Sequence, residues 1–197
     1  MIVLIVLVII GNIADDGETD KEVATTTYEV VQKEDISFSN VKRFEWHIVV
    51  KEPVSIKQLE ELSKQIVEEA KEEEEFNALS IGFYDYPEYV GYGYTLGKTE
   101  YAPEGDWSKA DTVQTGEYDK MDYKFDLMEK DWSKQLTQDE VTIFSEWNKL
   151  YQSKVTEAAL PIENEIDEEI AKSFNIDSSK VTEALLKQVN WTFLNEK

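Results

Sequence analysis

No cysteine occurs anywhere in the 197 residues. That removes disulfides, thiolate nucleophiles and zinc–thiolate sites together, and it fits a protein outside the cytoplasm that does without disulfides. Histidine is nearly as scarce. His47 stands alone, so no pair of imidazoles can gather a metal, and no serine motif accompanies it. The composition therefore assigns His47 a structural or surface role, with no metal site, no cofactor and no catalytic residue expected. No Asp-x-Asp-x-Asp-Gly loop is present, which excludes an EF-hand. Arginine also occurs once, as Arg43, and Lys plus Arg total 20 against 42 acidic residues, a net charge of −22. A field of that sign disfavours nucleic acid and anionic lipid as ligands.

A long apolar run is missing as well. Met1–Ile10 contains no polar side chain, but it supplies only half of the roughly 20 residues that a membrane-spanning helix needs. It lacks the basic start of a secretory signal. Three readings stay open: a buried strand, a weak signal or anchor, or the C-terminal half of a longer anchor. The polar tract Asp15–Glu22 and the small residues Ala24–Thr27 cannot bury apolar area, so the string reads as an anchor followed by a solvated stalk. This favours anchoring through Met1–Ile10 at the extracytoplasmic face of a membrane over a cytoplasmic location.

What is present is enough for a core: 41% apolar and 12% aromatic residues. Tyr28–Val31 and Ile36–Phe38 read as short strands, and Val41–Val50 as a better one, with Phe44, Trp46 and Ile48 alternating against Arg43, Glu45 and His47. Ser55 and Gln58 form a capping box, followed by a helix with Ile56, Leu59, Leu62, Ile66 and Ala70 on one stripe. Leu79–Phe83 and Val90–Leu96 read as a hairpin around Tyr84–Glu88. Tyr118–Met128 alternates as a further strand. Thr137 and Glu140 make a second capping box, opening a helix with Val141, Phe144, Trp147, Leu150 and Tyr151 at helical spacing. Two short helices, 162–174 and 179–194, close the chain.

The expected fold is α+β: an antiparallel sheet of about four to five strands with two packed helices, plus a C-terminal helical hairpin. The expected organisation is an apolar segment 1–10, a linker 11–27, an α+β domain 28–154 and a helical appendage 155–197. That appendage has the outline of a DNA-reading helix-turn-helix. Glu165, Asp167, Glu168, Glu169, Asp177 and Glu183 against only Lys172, Lys180 and Lys187 make a plain hairpin the better reading.

Six tyrosines and Trp107 fall between positions 84 and 107. Tyrosine offers contact area with a polar tip, as at protein and glycan binding surfaces. The binding candidates are Tyr84, Tyr86, Tyr89, Trp107 and Asp106, and the in-strand Tyr92 and Tyr94 read as packing residues. Asp106-Trp107-Ser108-Lys109 recurs as Asp131-Trp132-Ser133-Lys134, for which a shared local turn is the simpler account.

The residues Gly93–Lys98, Tyr101-Ala102-Pro103, Gly105, Trp107 and Ala110 resemble a domain family of unknown function. That family occurs in small secreted or membrane-anchored proteins of Gram-positive bacteria and their mobile elements. The resemblance spans residues 41–151. It implies an extracytoplasmic setting and brings no activity or functional residues. The resulting expectation is a non-enzymatic interaction module with a protein or glycan partner at the cell envelope. Two rivals stand beside it: an acidic inhibitor that mimics nucleic acid, and a carboxylate-based glycan hydrolase, since among 42 acids some pair will always have a suitable separation.

Overall fold

The computed structural model describes residues 26–156 and 162–193. The apolar string Met1–Ile10 and most of the linker lie outside them. Among the described residues no helix is long and apolar enough to cross a membrane.

Five strands form one sheet in sequence order: β1 (Tyr28–Asp35), β2 (Arg43–Val50), β3 (Ala78–Tyr84), β4 (Gly97–Pro103) and β5 (Met121–Leu127). The fold class is α+β, as expected, but the sheet is mixed. β2 and β3 run parallel, and the other neighbours are antiparallel. The connection explains this. An 18-residue helix, α1 (Ile56–Glu73), carries the chain back along the sheet, so β3 starts at the same end as β2.

Helix α1 begins where its capping box dictates. Ser55 Oγ accepts from the Gln58 amide at 3.3 Å, and Gln58 Oε1 accepts from the Ser55 amide at 3.0 Å. Its buried stripe is Leu59, Leu62, Ser63, Ile66, Val67 and Ala70. It packs on the sheet face that carries Trp46, Ile48, Leu79, Ile81 and Phe83, each large side chain contributing about 1.5–3 kcal/mol. A buried Ser63–Thr99 hydroxyl contact of 2.8 Å ties α1 to β4.

Three further helices, α2 (Gln138–Lys154), α3 (Glu163–Phe174) and α4 (Ser178–Phe193), pack on one another around Ile143, Ile166, Ile170, Val181 and Ala184. The second capping box, Thr137 with Glu140, starts α2. Val141 and Phe144 of α2 and Trp191 of α4 reach the main core. The terminal helical pair is thus seated on α2.

Two strand expectations are corrected. Val90–Leu96 is not the partner of β3; β4 is, with Phe83 opposite Gly97 and Leu79 opposite Tyr101. The alternation of 90–96 is interrupted by Gly91 at φ +90° and Gly93 at φ +110°, which turn the backbone away from an extended course twice within three residues. Ile36–Phe38 makes only an isolated bridge, Phe38 to Val41, and Phe38 is exposed. The segment 32–35, beyond the expected strand Tyr28–Val31, continues β1 instead.

Candidate functional site

Alternation along the strands puts Glu45, His47, Ser80, Gly82, Tyr84, Lys98 and Glu100 on the face opposite α1. β1 joins this face through a bulge. Val30 pairs with Ile48 and Gln32 with His47, so the register shifts at Val31 and every later side chain changes side. Without that extra residue Glu34 would point toward α1. With it, Glu34 stands opposite Glu45 and Lys33 turns to α1, where it pairs with Glu73 at 2.6 Å.

The result is a hydrogen-bonded cluster at the centre of the polar face. His47 is buried, with Nδ1 2.9 Å from Tyr84 Oη and Nε2 3.2 Å from Glu34 Oε1. Tyr94 donates to Glu45 Oε1 at 2.6 Å. One oxygen of Glu34, one of Glu45 and a ring nitrogen of His47 all lie within 4.8 Å of one another. Burial is the main cause that pushes both the Tyr84 and the Tyr94 phenols well above the usual range, and nearby carboxylates add to it. Both hydroxyls therefore stay protonated and act as donors. A ring proton on Nε2, facing Glu34, with Tyr84 donating to Nδ1, is the arrangement that satisfies all three groups.

Tyr94 reaches this face because position 82 is glycine. A Cβ there would sit 2.6 Å from the Tyr94 ring and 3.1 Å from Tyr84 Oη. The missing side chain is the slot into which the Tyr94 ring fits, 5.8 Å from the Tyr84 ring.

Charge on this face is unevenly neutralised. Burial alone would raise Glu100, but Lys98 at 2.5 Å and Lys124 at 3.4 Å hold its carboxyl below the usual range. Those two lysines are thereby engaged. Among the described residues, neither Glu34 nor Glu45 forms an ion pair with lysine or arginine; Glu34 has only His47.

The tyrosine-rich candidates are spread over three places. Tyr84 belongs to the His47 cluster. Tyr86 donates to the Leu136 carbonyl at 2.8 Å, and Tyr89 is fully buried between Tyr86 and Phe144. Trp107 packs on Ala78, Ala102 and Ala110. Asp106 caps a short 3-10 turn, accepting from the Ser108 amide at 2.9 Å, and Asp131 does the same for Ser133 at 3.1 Å. The shared-turn account of the repeated Asp-Trp-Ser-Lys is correct. Tyr94 packs against the core, as expected, and also donates to Glu45. Glu34, Glu45 and His47 were not singled out as a group, because only the bulge in β1 brings Glu34 to the other two.

One step beyond Tyr84, Asp85 is 1% exposed and is held by neutral partners, Thr95 Oγ1 at 2.7 Å and Gln135 Nε2 at 3.0 Å. Burial raises its carboxyl, and those hydrogen bonds offset this only in part. The folded state thus holds this proton more tightly than the unfolded chain does. The associated stability is complete below the unfolded value of about 4 and is lost as pH rises through the higher folded value. Relative to wild type, Asp85→Asn should gain stability progressively as pH rises, measured as the urea midpoint across a pH series. A difference that stays flat or shrinks with pH would contradict this.

The chain matches the model of a domain of unknown function, DUF4875, over residues 23–185, beyond both ends of the span that carried the sequence resemblance. No curated protein matches it. A solved structure of a DUF487 family protein from Desulfovibrio piger ATCC 29098 is similar, with a TM-score of 0.49 and 17% identity, covering 78% of this chain and 88% of that one. The family model takes in both the sheet with its His47 cluster and most of the helical end, and the chain belongs to the DUF4875 family of domains of unknown function.

Proposed function

We propose that the protein is a non-enzymatic binding domain, held at the outer face of a Gram-positive membrane, that takes a positively charged ligand on the polar face of its sheet. The observation that carries this reading is the pair Glu34 and Glu45, fixed in position beside buried His47 and left without a lysine or arginine counter-ion among the described residues. Carboxylates held by neutral donors are prepared to meet a cation, since most of the ordering cost is met in the free protein. The apolar Met1–Ile10 followed by a solvated linker, and the absence of cysteine, support the location. The reading as a nucleic-acid mimic draws less support from the acidic helix α1. Glu68, Glu73 and Glu74 pair with Lys71, Lys33 and Lys42, which breaks up the run of free charge that such a mimic needs.

Calorimetry with a short lysine- and arginine-rich peptide, at about 0.15 M salt to screen the general acidity, tests the reading. Removing the two charges in Glu34→Gln/Glu45→Gln should weaken binding about 10-fold or more, which corresponds to about 1.4 kcal/mol. The exposed pair Glu72→Gln/Glu75→Gln has the same change in charge and should have little effect. Equal losses in both double variants would show binding to bulk charge and overturn the site.

A further inference from the structure

We propose that Glu34, Glu45 and His47 form a seat for one divalent transition-metal ion of the zinc type. The inference rests on the reading that this face takes a cation, and it names that cation.

The donor set argues for the ion class. Calcium and magnesium take oxygen ligands almost exclusively, whereas an imidazole beside carboxylates suits zinc and its neighbours in the first transition row. Zinc bonds of about 2.0–2.2 Å in a tetrahedron place donor atoms about 3.4 Å apart. The three donor atoms already lie within 4.8 Å of one another, and His47 Nε2 is 3.2 Å from Glu34 Oε1. Glu34, whose side chain is 41% exposed, has room to adjust its position about an ion. Three protein ligands leave a fourth position for water or a partner's donor atom.

A second layer holds two of these ligands. Tyr94 fixes Glu45 at 2.6 Å, and Tyr84 lies 2.9 Å from His47 Nδ1, the nitrogen that does not face the carboxylates. A metal-bound histidine needs a partner on its other ring nitrogen to set tautomer and orientation. Seating the ion on Nε2 moves the ring proton to Nδ1. Tyr84 Oη then turns from donor to acceptor, which keeps both ring nitrogens partnered. Lys98 and Lys124 on this face are held by Glu100, and Lys33 lies on the other side with Glu73, so none of the three competes for the seat.

The experiment uses the full, untagged chain freed of metal. Its single histidine gives one set of imidazole resonances, and one equivalent of zinc should shift them with saturation at that ratio. Cobalt should bind with the intense visible bands of a tetrahedral site, and zinc should displace it. His47→Gln and Glu45→Gln should each weaken binding by more than about 10-fold, and Tyr94→Phe, which keeps every ligand, by about 10-fold. Circular dichroism of the metal-free variants checks the fold. Should a ligand variant fail to fold, Tyr94→Phe and the wild-type histidine resonances decide. Resonances unmoved by zinc, or equal affinity in wild type and variants, would overturn the seat. If zinc fails while the cationic peptide still discriminates the Glu34/Glu45 double variant, the ion is wrong and the binding face stands. If both fail, both readings fall.

Discussion

Gly97→Ala is expected to lose roughly 2–6 kcal/mol of folding stability, comparable with the whole stability of a marginal domain. Two costs combine. Gly97 has φ +94°, where a side chain is strained by about 1–3 kcal/mol. A Cβ there would also lie 2.3 Å from the Asp126 carbonyl oxygen and 2.6 Å from Leu127 Cα. Both are backbone atoms of β5, so no side chain can rotate away, and relieving the overlap costs about 1–3 kcal/mol more. The position is also structural for the site. Gly97 opens β4, lies opposite Phe83, and its amide donates to the Tyr94 carbonyl at 3.1 Å, just where Tyr94 turns over Gly82. Urea unfolding measures the loss, and a change below about 1 kcal/mol would refute the close strand approach.

Phe76→Ala should cost about 3–5 kcal/mol, the range for removing a buried ring. Phe76 is fully buried between α1 and β3, with ring centroids 6.3 Å from Phe44, 6.3 Å from Tyr101 and 5.3 Å from Tyr118. Its amide donates to Tyr118 Oη at 3.2 Å, and the Lys71 ammonium lies 4.9 Å from the Tyr101 and Tyr118 rings. Truncation therefore leaves a cavity under three rings from separate parts of the chain, too well fixed to collapse into it. Phe76→Leu refills most of the volume and should cost less than half as much. Equal costs for the two variants would mean that the cluster does not pack as described.

The parts of the fold that could be read in advance are those set by local chemistry. Both capping boxes place their helices to within a residue, because the hydrogen bonds involved span only three positions. β2 and β5 announce themselves by alternation. β4 does not. It reads Gly-Lys-Thr-Glu-Tyr-Ala-Pro, almost entirely buried, with Thr99 and Glu100 inside because each has a partner far away in sequence, Ser63 and Lys124, and Glu100 also pairs with its near neighbour Lys98. The neighbouring 90–96 stretch imitates a strand in side-chain pattern, and only its backbone reveals the error.

The site was less legible than the fold for the same reason. Alternation already put Glu45 and His47 on one face, yet a bulge carries no signal at Val31, and Glu34 arrives only by it. A single histidine gives no imidazole pair to recognise in composition, and the two carboxylates and two phenols around it come together only in space. The tyrosine count drew attention to residues 84–107, but proximity in sequence is not proximity in space. Tyr86 and Tyr89 pack toward α2, and Trp107 covers β3 and β4.

The proposed binding surface is the polar face of the sheet, rather than the acidic surface in general. Residue-resolved NMR of the labelled full chain, titrated with a lysine- and arginine-rich peptide at about 0.15 M salt, distinguishes the two. Shifts should gather on Glu34, Glu45, His47, Gly82, Tyr84 and Tyr94. Shifts spread over Glu60–Glu75 and the acidic faces of α3 and α4, with the His47 cluster unmoved, would contradict it.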